Sequence, residues 1–510
     1  MSAPSLTPPS PITAQDWQGR ALGPVLVFVG LLVAVVSSLG SPLIPTIATD
    51  YGVSLGTAQW SLTITLLVGA MASPVVGRLG DGPRRLHVLM ASLAVLVAGS
   101  VLAALPSTIF VFLLAGRAMQ GVGLALLPLA MSIARDHLPP ERSHRTVATL
   151  SVTAVVGIGL GYPLTGLVAE HLDLHAGFWM AAGLGVVALV LVRLVVPNSA
   201  HRPGQVFDMT GALTLSLALA GLLVAISESS DWGWTSSRLW GLVAASLAVM
   251  AAWVWHELRT DEPLIDLRLL RHRTILTANV TGLVAGIGMY MLMSMIIRYV
   301  QTPTTISYGI GASVVVAGLV LLPMSVMSFS SSKLVTYLNR VATPGQILPL
   351  GVLVLAVALL MFATSRGSLW EVFVIMGIGG IGMGCSFAVM PRMIVSAIPA
   401  DETSSALALN QVLRTVGYSM GSAVTGTILT AHTSSGSKFP TDHGYTVGAC
   451  VSIGLLLVAA TLSWLLPERG PVRALTADQE LEIIEDIDAA ISGTITLNES
   501  IETKARRVHA

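Results

Sequence analysis

Two arginines, Arg117 and Arg414, interrupt long apolar runs of this 510-residue chain, and their charge constrains what the chain can do. A guanidinium at the centre of an apolar helix costs at least about 2.5 kcal/mol to place in a bilayer, so each must face a bundle interior or a wet cavity. Arg117 stands in the stretch Arg117-Ala118-Met119-Gln120-Gly121-Val122-Gly123. It reads either as a functional charge in a cavity or as a structural donor to helix-end carbonyls. Arg414 follows Asn410 and Gln411, near mid-membrane depth at a rise of about 1.5 Å per residue. No Asp or Glu lies in the middle of an apolar run, so Arg414 is expected to bond Asn410, Gln411, backbone carbonyls, water or a substrate. A third cluster, from Gly77 to Arg85, places Asp81 among Arg78, Arg84 and Arg85. Charge-assisted bonds from such an aspartate can hold one conformation, and the glycine permits close backbone approach.

Other chemistries have little support. Cys385 and Cys450 sit in apolar runs with no neighbouring His or Cys, which argues for small buried hydrophobes rather than zinc ligands or a disulfide. His171, Asp173 and His175 form the nearest approach to a metal pair, and a solvated loop accounts for them as well. A membrane-embedded enzyme is thus the weak alternative of another class, and neither a cofactor nor a metal is expected. No G-x-x-x-x-G-K-[ST] loop is present, which disfavours an ATP-driven pump. With 27 basic and 27 acidic residues, no global charge invites nucleic acid.

The elements that position these residues must be membrane helices. The chain is 53% hydrophobic and 11% charged, against roughly 25% charged in soluble domains. Apolar runs long enough for the ~30 Å hydrocarbon core recur from Leu22 to Leu466. Cutting them at charged, Pro and Gly clusters predicts fourteen helices near 21–48, 57–78, 86–105, 107–135, 144–170, 177–197, 209–228, 238–258, 274–300, 309–332, 345–365, 370–396, 403–432 and 445–466. Residues 1–20 lack the basic start and cleavage site of a signal peptide, and 467–510 read as a solvated tail. Arginines concentrate on alternate loops, around Arg78–Arg85, Arg135–Arg145, Arg202, Arg259–Arg273 and Lys333–Arg340. Positive loops face the cytoplasm, so both termini are expected there.

An internal repeat organises the helices. Leu138-Pro139-Pro140-Glu141 leading to Gly157, Gly161, Thr165 and Gly166 recurs 260 positions later as Ile398-Pro399-Ala400-Asp401 leading to Gly417, Gly421, Thr425 and Gly426. Gly121 and Pro128 match Gly384 and Pro391 after a three-residue gap, and Arg414 takes the place of Ala154. The offset exceeds six helices by about one hairpin. It predicts an all-α integral membrane fold of two pseudo-symmetric six-helix bundles, 21–200 and 262–466, with an inserted transmembrane hairpin over 205–260 and a site between the halves. On the helix near 274–300, Gly282, Gly286, Tyr290, Ser294 and Arg298 repeat every four residues and form one stripe, flanked by Met289, Met291, Met293 and Met295. Tyr290, Ser294 and Arg298, with Ser37, Ser41, Asn410 and Arg414, are the candidate cavity lining. Methionines that adapt to varied shapes suit such a cavity, and also serve as core filler.

These motifs, in order and at matching helices across nearly the whole chain, resemble the major facilitator superfamily and its fourteen-helix drug/proton antiporter branch. Gly77-Arg78-Leu79-Gly80-Asp81-Gly82-Pro83-Arg84-Arg85 is similar to the signature loop G-x-L-x-D-x-x-G-R-R, one residue shorter and without the later glycine. The resemblance implies a gate at Gly77, Asp81, Arg84 and Arg85. The Arg117-Gln120-Gly121 stretch resembles R-x-x-Q-G-x-G, whose arginine is assigned to proton coupling. Gly157, Gly161 and Pro163 resemble the antiporter-associated G-x-x-x-G-P-x-x-G-G, with Tyr162 inserted and Leu167 in place of a glycine. Trp232-Gly233-Trp234 and the stretch from Tyr299 to Pro323 are similar to further features of that branch. The branch also carries an aspartate in its first helix, which is missing from Val35–Pro45. The resemblance implies a monomeric, proton-coupled exporter of an amphipathic organic small molecule in the bacterial inner membrane. Without a buried anion its cavity should disfavour multiply cationic drugs. Uptake or facilitated diffusion of a small polar or anionic solute is the alternative.

Overall fold

The computed structural model describes residues 17–39, 44–106, 109–171, 174–197, 207–339, 342–398, 403–434 and 439–466. Ser41, Asp173, the N-terminal residues 1–16 and the tail 467–510 lie outside them, as do the side chains of Pro163 and His171. Every regular element among the described residues is helical. In chain order these are α1 (Trp17–Ser38), α2 (Ile44–Asp50), α3 (Leu55–Asp81), α4 (Arg85–Ala104), α5 (Phe110–Gly121), α6 (Leu126–His137), α7 (Pro140–His171) and α8 (Leu174–Val195). There follow α9 (Met209–Trp232), α10 (Ser237–Glu257), α11 (Arg273–Gln301), α12 (Val314–Leu319), α13 (Leu322–Leu338), α14 (Pro344–Thr364), α15 (Leu369–Val395), α16 (Thr403–Ala431) and α17 (Asp442–Leu465). Twelve helical stretches among the described residues are long and apolar enough to cross a membrane. Beyond those twelve, α7 has 32 residues and α16 has 29. Both are rich in polar side chains, with Glu141, Arg142, His144 and Arg145 opening α7 and Asn410, Gln411 and Arg414 inside α16.

Three predicted helices are each broken in two, at glycines and prolines. The stretch 21–48 is α1, which ends at Ser38 with Leu39 in a turn, and the short α2, which carries Pro45 in its first turn. The stretch 107–135 is α5, a 3-10 turn over Val122–Ala125, and α6. Pro128 has no N–H to donate to Leu124, and Gly121 and Gly123 weaken the helix just before it. The stretch 309–332 is α12 and α13, parted just before Pro323.

The sequence repeat is a repeat of packing. Helix α1 lies on α7 as α11 lies on α16, α4 on α8 as α14 on α17, and α3 on α5 as α13 on α15. Gly157 makes the first of these contacts: a Cβ there would stand 2.0 Å from the Ala34 Cβ. Its counterpart Gly417 would stand 2.3 Å from the Leu283 carbonyl oxygen of α11. Between the two sets of helices, α3 packs on α16 and α7 packs on α13 and α15. Helices α9 and α10 form a hairpin whose first member rests on both α3 and α16. Leu215, Leu219 and Leu223 face that seam, whereas Met209, Leu213 and Leu217 are exposed on the outer side of α9. The Trp234 indole Nε1 at the hairpin tip donates to Thr427 Oγ1 of α16 at 2.7 Å.

Candidate functional site

Helix α3 ends on a fully buried carboxylate, Asp81. Its Oδ1 accepts the Ser404 amide at 2.8 Å, and its Oδ2 accepts the amide and hydroxyl of Ser405 at 2.9 and 2.6 Å. These amides belong to the first turn of α16, where a helix leaves N–H groups unpaired and presents the positive end of its dipole. Gly77 brings the backbones together, since a Cβ there would lie 2.9 Å from the Ala408 Cβ and 3.1 Å from the Ser404 oxygen. The neighbouring arginines have other roles. Arg85 donates Nε to the Gly80 carbonyl at 2.6 Å and pairs with Asp136, standing 3.9 Å from Asp81, while Arg84 is exposed. Arg135, which sequence reasoning did not single out, donates to Thr403 Oγ1 and to the Ile398 carbonyl at 3.1 Å. Thus α3 and α6 together hold the start of α16.

Arg117 on α5 is completely buried. Its Nε donates to the Ser61 carbonyl at 2.9 Å, and Nη1 to the Val36 carbonyl at 3.0 Å and to Gln120 Oε1 at 2.7 Å. Nη2 reaches the Ser37 carbonyl at 3.4 Å, and Gln120 in turn donates to Ser100 Oγ at 2.9 Å. Val36 and Ser37 end α1 where the chain leaves the helix, so their carbonyls lack intrahelical donors. Gly121 presses α5 onto α3, with a Cβ position 2.4 Å from the Thr65 oxygen. Gly161, like Gly157, is buried on α7.

Arg414, buried on α16, crosses between the two sets of helices. Its guanidinium carbon stands 3.5 Å from the Phe387 ring centroid of α15, and its nitrogens reach Ser151 Oγ and the Ser151 carbonyl of α7, both at 3.4 Å. Nη2 also reaches Tyr418 Oη at 3.3 Å. A backbone carbonyl is thus a partner, as expected, but Asn410 and Gln411 are not. Asn410 instead donates to Asn279 Oδ1 at 3.1 Å and to the Ala278 carbonyl at 3.3 Å. No carboxylate pairs with Arg117 or Arg414 among the described residues.

At the end of these helices opposite Asp81 lies a cavity of about 380 Å³, within the roughly 300–1,000 Å³ of small-molecule sites. Its walls are the first half of α3, from Gln59 to Leu67, and the last turns of α9, α11 and α16. Trp60, Thr63, Tyr290, Tyr418 and Ser422 give it a mixed aromatic and hydroxyl surface, and Glu228 and Arg298 supply its charges. Tyr290 stacks on Tyr418 with ring centroids 6.3 Å apart. Of the residues proposed from sequence, Tyr290 and Arg298 meet here, and Arg414 lies one side chain behind, against Tyr418. Ser37, Ser294 and Asn410 do not line it, and Ser37 Oγ bonds its own helix at Ala34. Glu228 and Tyr418 were missed, although Arg414, Tyr418, Ser422 and Gly426 follow one another every four residues on α16 and so share a face. Such a surface can hold an amphipathic molecule by stacking and hydrogen bonding, with either charge sign balanced by one side chain.

Comparison with known proteins gives a consistent family. The model of the Major Facilitator Superfamily matches residues 26–422. The tetracenomycin C resistance and export protein of Streptomyces glaucescens is 27% identical over 449 residues, 85% of this chain and 79% of that one. The multidrug resistance protein Stp of Mycobacterium tuberculosis is 27% identical over 419 residues, 80% of this chain and 74% of that one. An uncharacterised MFS-type transporter of the same species is 27% identical over 443 residues, and there the match covers 84% of this chain but 63% of the relative. Among solved structures, the human organic anion transporter MFSD10 superposes with a TM-score of 0.60 at 16% identity, covering 88% of this chain and all of that one.

Proposed function

Because the chain belongs to the major facilitator superfamily, we propose that it is a secondary transporter of fourteen membrane helices that exports an amphipathic organic compound by alternating access, coupled to protons. The count adds α7 and α16 to the twelve apolar spans. Each exceeds the ~20 residues a crossing needs, and their polarity suits helices packed at the centre of a bundle. Two six-helix halves, 21–200 and 262–466, flank the inserted α9–α10 hairpin, and the paired packing of α1 on α7 and α11 on α16 supports that division.

One observation supports the reading: Asp81 of α3 clasps the start of α16, whereas at the other end a cavity lies between α3 and the later turns of α11 and α16. With Asp81 on the cytoplasmic side, as the arginine-rich loops require, this is a state closed inward and accessible outward. Asp81 is then the gate, with Arg85 and Arg135 as its supports. Gly77 brings the gate helices together, and Arg84 remains an exposed basic group at its edge. Tyr290, Arg298, Tyr418 and Glu228 form the substrate surface. Arg117 and Gln120 hold the α1 break against α5, and Gly121, Gly157, Gly161 and Pro163 belong to the helix contacts that shift. The relatives named for drug resistance and export support the outward direction.

A second reading, transport of a small anionic solute, is favoured by one feature. Arg298 on the wall and Arg414 behind it outnumber the single carboxylate, Glu228. Inverted membrane vesicles offered neutral, cationic and anionic dyes from the outside, with and without a proton gradient, test both. Gradient-driven uptake of neutral amphiphiles into them is the outcome for an exporter. Gradient-independent movement of anions alone supports the second reading.

A further inference from the structure

A second cavity, of about 220 Å³, lies beside the gate itself, at the Asp81 end of the molecule. Its walls come from both halves and from the link between them: Arg78 of α3, the segment 261–270, the start of α11 at Ile275 and Asn279, and the first turns of α16 at Ser405 and Leu409. Nothing in the transport cycle described above uses it.

Its polar groups are unevenly satisfied. Asn279 is 1% exposed, and its Oδ1 accepts from Asn410 while its Nδ2 has no partner. The buried Nε of Arg78 likewise has none, although its other end lies 3.9 Å from Glu262. A buried donor without an acceptor costs about 1–3 kcal/mol, so an occupant bringing an acceptor oxygen would recover that loss. Against the one guanidinium stand three carboxylates, Asp261, Glu262 and Asp266, which favour a cationic occupant. Leu264, Leu269 and Leu409 supply the apolar wall. The volume is below the roughly 300 Å³ at which drug-sized sites begin, so the occupant is a fragment-sized molecule.

We propose that this cavity is an inhibitory site for small organic cations that carry a hydrogen-bond acceptor beside an apolar body. The inhibition rests on the gate reading above. Opening the Asp81 end parts α3 from α16, so the cavity is complete only while the gate is shut. A ligand that binds one state better than the other shifts the population toward it. An occupant here therefore slows turnover without competing at the opposite cavity, and by reciprocity it binds more tightly whenever the gate is closed.

The test uses the full chain in lipid nanodiscs, with 3-phenoxypropylamine as the probe and 3-phenoxypropanol as its neutral control. Binding is followed by saturation-transfer NMR with no gradient present. We expect saturable binding of the amine, about tenfold weaker binding of the alcohol, and a loss of about tenfold or more with either Asn279→Leu or Asp261→Asn. Asp261 is exposed and outside the transport machinery, so Asp261→Asn should keep normal dye efflux when no amine is added. In vesicles the amine should lower the maximal rate of efflux and leave the half-saturating dye concentration unchanged. Absence of saturable binding, binding that both variants retain, or displacement of the amine by a transported dye overturns the site. Site-dependent binding that leaves efflux untouched overturns the inhibition. Failure of the transport reading is separate, because it appears as a lack of gradient-driven efflux in the unmodified protein while binding persists.

Discussion

Asp81 and Ser405, 324 positions apart in sequence, are joined twice, through the Ser405 amide at 2.9 Å and its hydroxyl at 2.6 Å. Both bonds end on a carboxylate oxygen, and a third reaches Oδ1 from Ser404, so the clasp depends on the negative charge. Asp81→Asn keeps the shape, removes the charge, and puts an NH2 donor against donors. Hydrogen bonds to charged groups are worth about 1.5–3 kcal/mol, so the inward-closed population should fall by about tenfold or more relative to the inward-open one. Spin labels on the Asp81 ends of α3 and α16 should report longer distances in the variant, and unchanged distances would remove Asp81 from the gate.

Arg117→Ala leaves the carbonyls of Val36, Ser37 and Ser61 without their buried donor. We expect lost efflux together with a melting temperature several degrees lower in detergent, since each such loss costs about 1–3 kcal/mol. Arg117→Lys should recover little, because a single ammonium cannot serve carbonyls on α1 and α3 and the Gln120 amide in a fork. Normal thermal stability with efflux abolished would instead assign the side chain to coupling.

Arg414 holds Ser151 across the seam and Tyr418 at the cavity floor. Arg414→Ala should weaken transport of neutral and anionic amphiphiles by about tenfold, and more than Arg414→Lys does, which keeps the positive charge behind the cavity. Dicationic dyes should be poor substrates of the unmodified protein. Strong gradient-driven efflux of dicationic dyes would reverse this electrostatic assignment and turn attention to Glu228.

Two glycines of neighbouring helices offer a control on packing. Gly157→Ala places a methyl 2.0 Å from the Ala34 Cβ and 2.6 Å from its carbonyl carbon, so α1 and α7 must separate, at an expected 1–3 kcal/mol. Gly183→Ala on α8 meets nothing within 4 Å. Unfolding of the purified variants in detergent should show a clear loss for the first and little change for the second.

The orientation predicts that a reporter placed in the loop 233–236 is labelled from outside the cell and one fused after Leu466 is not. Labelling of the second alone would invert the membrane assignment and put the Asp81 clasp on the outer face.

The helices were legible because apolar length is the signal a bilayer demands, and the repeat because Gly157 and Gly417 are each forced by a backbone contact. The breaks at Pro128 and Pro323 were visible as residues but lay within runs whose overall hydropathy outweighs one missing N–H. Asp81 was legible as a gate candidate, yet its partner was not. A carboxylate flanked in sequence by Arg78, Arg84 and Arg85 is instead bonded chiefly to amides 323 and 324 positions away, a relation that only the tertiary fold creates. Asn410 and Arg414 share a helix and looked like one site, but one turns to Asn279 and the other to Ser151. Glu228 was passed over because it lies at the end of an apolar run, where a carboxylate reads as a solvated helix terminus, yet it reaches the cavity wall.

Resting on both α3 and α16 with its outer face bare, α9 works as a gasket along one of the two lateral slits between the two sets of helices. The other slit, between α7 and α13, is closed by direct contact, including the bond from Ser325 Oγ to the Val155 carbonyl at 3.3 Å. The slits are therefore unequal. A lipophilic molecule moving sideways from the bilayer past α3 and α16 must first displace a whole helix, whereas at α7 and α13 only side chains stand in its way. Any exchange with the membrane is thereby disfavoured at the flank that the hairpin sheathes.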